Sequence, residues 1–346
     1  MRPRDLLTVL VIGAVVVIGG FAAADAIRGK PRAEAQPATT TRTVPVQTTP
    51  SRLPGPQPQP QAPLGWPEGV LEGTLTFADA ETCDIRQIGL AGGRERPLAH
   101  FGGDCSLWAP PVGSRVAYGL GPSSQDGLQP FRIADLAAPN RELGGYRALF
   151  GVVIWSQDGQ HVAWCGRSRV GFDLEVGGPS RRLPRCPAAY TPDGRIAYAV
   201  GNRLLIEDTT VLRTDGGITY ATFTENGDAA VVVDGKRLEL WRGNNELFAL
   251  ALPPRLQGKT PVISPLGCAA FFRLNQPPVG GLEVRDLGCL GGPKVRFIGG
   301  RDGAWSPNGE WLASAEPDAI VFHRLIGPQA SFSWPAHAAQ MVWRPQ

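Results

Sequence analysis

The chain has 346 residues, 42% of them hydrophobic, with 34 Lys/Arg against 31 Asp/Glu, which is enough for one large domain with its own core. Seven of the cations and four of the anions fall in the first 68 residues, so the remainder carries 27 of each and is formally neutral. That balance argues against nucleic acid as a partner, because such binding draws on a concentrated positive charge.

Residues 1–5 read as a short cytoplasmic tip carrying Arg2 and Arg4. The run from Leu6 to Ala24 holds no charge, and its 19 residues approach the roughly 20 that a helix needs to cross a bilayer, so residues 6–26 are expected to be a transmembrane anchor. Arg28, Lys30 and Arg32 follow the run, and the positive-inside count does not decide orientation. The cysteines do: all six lie after residue 68, as in an extracytoplasmic, disulfide-bearing domain. The expected location is the plasma membrane, single-pass, with the bulk of the chain outside. The alternative is secretion after cleavage of a signal peptide near Ala24-Asp25-Ala26, although the apolar run exceeds the usual h-region of about 7 to 15 residues. No cysteine directly follows the run, so a lipoprotein anchor is not expected. Residues 27–68 are rich in Pro, Thr and Gln and are expected to form a disordered linker, with an extended reach on the order of 100 Å.

From residue 69 to 346 a unit recurs: an apolar or aromatic residue, a small or polar residue, then a turn ending in Gly. It appears at Trp108, Trp155, Tyr190, Phe223, Ile263 and Trp305, and its start recurs at Trp343. Asp158-Gly159, Asp193-Gly194, Asn226-Gly227 and Asn308-Gly309 are the expected turn residues, since Gly takes positive φ and Asp or Asn bonds local amides. A third strand follows, as in FRIADL, RLELWRG and IVFHRL, and a fourth less clearly, as in VLRT and VRFI. Four short strands about every 40 residues mark a propeller blade. The last repeat supplies one strand at Met341 to Arg344, whereas residues 71–99 supply three strands without a first. Joining them predicts an all-β, seven-bladed β-propeller with a split closing blade; six blades is the alternative.

The segments AWSPNGEWLASA, AYTPDGRIAYAV and IWSQDGQHVAW resemble the WD-like repeats of TolB-type β-propellers. The resemblance covers about residues 70–346. It implies a propeller that binds other proteins at one of its faces, but not which ones, because an anchor and seven units depart from the family's pattern.

The cysteines fall into neighbours 22, 21 and 21 positions apart: Cys83 with Cys105, Cys165 with Cys186, and Cys268 with Cys289. Strands alternate in direction, so both members of each pair fall on the same face of the disc, and these three disulfides are expected. His100, His161, His323 and His337 are scattered without metal-ligand spacing, and no phosphate loop or nucleophile elbow is present, so neither metal nor cofactor is expected. The repeated aromatics read as packing between blades rather than a sugar-binding ladder, while Trp66 and Trp334 have no repeat equivalents. The expected function is a tethered binding or scaffold module for a protein or cell-envelope polymer, joined to the membrane through residues 6–24. A lactonase-like hydrolase or lyase, and an envelope sensor subunit, are the alternatives.

Overall fold

A computed structural model describes residues 63, 65–67, 69–100, 103–138, 142–149, 152–274, 281–290 and 293–345. The expected tip, the apolar anchor and nearly all of the linker lie outside these residues. No helix among the described residues is long and apolar enough to cross a membrane.

Among the described residues, twenty-eight strands form seven antiparallel four-stranded sheets. Blade 1 takes its inner strand, Ala338–Arg344, from the end of the chain and its other three, Thr74–Asp79, Asp84–Gly89 and Arg94–His100, from the start. The closing register sets Leu75 opposite Trp343 and Phe77 opposite Met341, and the inner strand begins at Ala338, three residues earlier than the repeat predicts. Blades 2 to 7 follow in chain order over residues 107–149, 153–183, 189–213, 218–251, 262–299 and 303–334. Seven blades, not six, close the ring.

The core is divided by blade junction. Seven clusters of buried apolar side chains lie one at each junction between neighbouring sheets. This division follows from period-two alternation: a strand in a blade buries both faces, one against each neighbouring blade.

The turns between first and second strands are built alike. A Ser or Thr is buried at the start of each turn in blades 3 to 7: Ser156, Thr191, Thr224, Ser264 and Ser306. Its hydroxyl accepts the main-chain N–H that opens the second strand, at 2.9 Å from His161 and Trp311 and 3.0 Å from Ala269. Asp158 and Asn308 each accept from that hydroxyl, at 2.6 and 2.7 Å, and from a main-chain amide two residues on. The bond from Ser156 holds the Asp158 carboxyl below the ordinary carboxylate value. Gly159, Gly194, Gly227 and Gly309 have φ of 66°, 80°, 82° and 69°, the left-handed region that the turn requires.

Trp66 and Trp334, without equivalents in the repeat, seal the junction of blades 7 and 1. The Trp334 indole donates to buried Glu95 Oε2 at 2.8 Å, and Trp66 packs edge-on against Trp334 and donates to Leu90 O at 2.9 Å. Arg344, at the end of the closing strand, donates to Gly113 O at 2.7 Å and Arg115 O at 2.8 Å in blade 2. Burial lowers its guanidinium to about 10, so it remains a cation at neutral pH. Gly73 lies against the Arg344 carbonyl, where a Cβ has no room.

Candidate binding site at the channel mouth

Antiparallel strands put the first-to-second and third-to-fourth turns of every blade on one face of the disc. On that face the inner strands end around a central cavity of about 560 Å³. Trp155, Tyr190, Phe223, Ile263, Trp305 and Trp343, all at the repeat's apolar position, line it. Beyond them Pro111, Pro265, Pro307 and Pro345 form a rim with Gln157 and Glu225. Val112 and Leu266, two of the large exposed apolar residues, project from turns on the same face. Trp108, the remaining member of the repeat series, packs against Phe131.

The polar atoms of the lining aromatics are already engaged. The indoles of Trp155, Trp305 and Trp343 donate to Trp108 O, Val262 O and Glu72 O at 3.2, 3.0 and 2.8 Å. The Tyr190 hydroxyl donates to buried Asp173 Oδ1 at 2.5 Å; burial, then Asp173, push this phenol far above its ordinary range. Burial likewise raises Tyr220. What the mouth offers a ligand is therefore apolar ring surface and proline, with Gln157, Thr222 and Glu225 as polar contacts. Glu225 is the single carboxylate among the described lining residues, which supplies neither an acid–base pair nor a metal cage.

The four histidines stay apart. His100 meets Asp84 on the surface, His161 lies 3.5 Å from Asp173, and His337 contacts Pro317 O at 2.8 Å. His323 Nε2 lies 3.0 Å from Ser314 Oγ, with Glu316 4.0 Å from the same nitrogen. A nucleophilic triad needs the carboxylate on the other ring nitrogen, and Ser314 is wholly buried, so this is a packing contact. Among the described residues no group of three or more His, Cys, Asp or Glu is placed to hold a metal ion.

The structure joins Cys83 to Cys105, Cys165 to Cys186 and Cys268 to Cys289, with Cα separations of 4.5, 4.9 and 5.1 Å. Asp286 prepares the last pair: burial raises its carboxyl, but the amides of Leu290, Gly288 and Cys289, all bonded to Oδ1, outweigh this and lower it. Three disulfides are bonds of an oxidising, extracytoplasmic compartment.

No protein-family model matches the chain, and no curated protein matches it in sequence. Among solved structures, a Bacteroides uniformis protein provisionally assigned as a 6-phosphogluconolactonase superposes with a TM-score of 0.52 at 14% identity, covering 77% of this chain and 97% of its own. A Bacteroides fragilis protein with the same provisional assignment gives 0.50 at 13%, covering 80% and 99%. The β-propeller domain of Cps50 (Swd1) from Myceliophteria thermophila gives 0.47 at 13%, covering 71% and 92%. At these identities the first two likenesses establish the β-propeller fold alone.

Proposed function

We propose that the chain is a membrane-tethered, extracytoplasmic binding module whose channel mouth receives an apolar segment of a protein partner. Residues 1–5 form the cytoplasmic tip, 6–26 the anchor, 27–68 the spacer and 69–346 the propeller. The observation that carries this reading is the mouth itself: about 560 Å³ lined by aromatic rings and proline, with their polar atoms already engaged. Such a surface supplies contact area at low entropic cost, because rings held by blade packing lose little freedom on binding. The three disulfides support placement outside the cytoplasm.

The test is site-specific photo-crosslinking of the full chain in intact cells. A crosslinker at Gln157, on the rim, is expected to trap one partner that a crosslinker at exposed Ser331, on the outer strand of blade 7, does not, and Trp155→Ala is expected to abolish the adduct. Recovery of uncrosslinked protein from the rim position, or an adduct indifferent to Trp155→Ala, overturns the reading.

A further inference from the structure

Formal neutrality hides a local excess of arginine on the rim of blade 3. Between Arg167 and Arg185 the sequence has five arginines against two acids, Asp173 and Glu175. Asp173 is buried and already engaged by Arg181 Nε at 2.6 Å and by Tyr190. Arg167 and Arg169 sit at the tip of the loop between the second and third strands, on the face opposite the mouth. The Cys165–Cys186 disulfide ties the base of that loop to the segment bearing Arg185. The outer strand of blade 2, with exposed Arg147, packs beside the same loop. Among the described residues Arg147, Arg169 and Arg182 have no acidic partner, and Arg167 and Arg185 have only distant ones, Asp126 at 3.8 Å and Asp208 at 3.7 Å.

Two further observations give this charge a purpose. Ser168 and Arg169 both hold left-handed φ, 60° and 57°, a conformation that glycine adopts freely and other residues do not. A strained, exposed turn that keeps Ser and Arg where Gly would relax it is the kind of outlier that accompanies a recognition role. The adjoining outer strand, Ser180–Leu183, is paired on one side only, so its free edge lies among the arginines.

We propose that this rim is a docking surface for an acidic segment of a partner protein, bound in extended form along Ser180–Leu183. Single exposed ion pairs contribute little and are screened by salt, so a ligand gains here only by presenting several carboxylates together. An extended polypeptide places a side chain on one face at every second residue and offers main-chain groups to the open edge. A phosphate polymer would answer the charge but leave the edge unpaired. The surface is separate from the channel mouth, and neither reading depends on the other.

The probe is a fluorescein-labelled peptide of Glu-Val repeated four times, followed by anisotropy on the full chain at about 50 mM and about 300 mM salt. Binding is expected at the lower salt and to weaken at the higher. Combined R167E, R169E and R182E are expected to reduce affinity by about tenfold or more, while R94E on blade 1 leaves it unchanged. A Glu-Pro repeat, which cannot pair with a strand edge, is expected to bind about fivefold more weakly or worse. Absence of binding at low salt, equal loss in R94E, equal affinity for the Glu-Pro peptide, or capture of sodium polyphosphate in preference to both peptides overturns the proposal. All four substituted side chains are exposed, and an unchanged thermal transition separates lost binding from lost fold.

Discussion

Among the described residues, the cluster of buried apolar side chains between blades 7 and 1 has sixteen members, whereas the cluster between blades 3 and 4 has five. At the first, the chain joins parts of itself that are remote in sequence: the Trp334 to Glu95 bond spans 239 positions and the Trp343 to Glu72 bond 271. At the second, only residues 184–188 separate the outer strand of blade 3 from the inner strand of blade 4, and the apolar seam is supplemented by the Tyr190–Asp173–Arg181 network and a disulfide beside it. Closing a long loop costs entropy that only new contacts offset. Apolar burial is accordingly densest where the ring is sealed, and the thinner seam is the one that carries the exposed arginine rim.

The sharpest way to break this contrast is Trp334→Ala. It removes the largest fully buried side chain and leaves Glu95 without its indole donor, so a loss of about 4 kcal/mol is expected in urea unfolding. A cost below that of the substitutions at the other junction would mean that burial does not track closure. Replacing Cys165 and Cys186 together by Ser opens a 21-residue loop beside the thinner seam, with an expected loss of about 3 kcal/mol in the same measurement without reductant. Tyr190→Phe deletes one hydrogen bond while Arg181 still engages Asp173, and about 1 kcal/mol is expected by the same measurement. The smallest effect concerns pH at blade 7. Burial holds His323 below the ordinary imidazole value of 6.5, so the unfolded chain binds the proton more readily than the folded one. Stability therefore falls as pH drops through and below 6.5, by less than about 1 kcal/mol near pH 6, and His323→Asn is expected to flatten that slope.

Much of the architecture was readable from local chemistry. Turn glycines and the apolar residue before them recur in blades 2 to 7, and the unmatched strands at the two ends of the propeller segment predicted the split blade. The cysteine spacings became informative once strand direction assigned each residue to a face. The turns also depend on a buried Ser or Thr two residues before Asp158 and Asn308, a role that Ser and Thr do not advertise in sequence because they are equally common on open surface. Trp66 and Trp334 carried no repeat signal, because they serve a junction that occurs once in the ring. The arginine rim was invisible to a net-charge count, since acids elsewhere in the domain cancel it. Its proximity to a strained loop and a free edge is a property of three dimensions.

Pro345, the last described residue, lines the mouth beside the point where residues 69–73 enter the second strand of blade 1. Anything grafted after it, whether an affinity handle or a fluorescent reporter, would stand in the doorway of the channel and obstruct guests there. Labels for functional work belong instead at the opposite rim, for example in the connection between blades 6 and 7 near exposed Arg301.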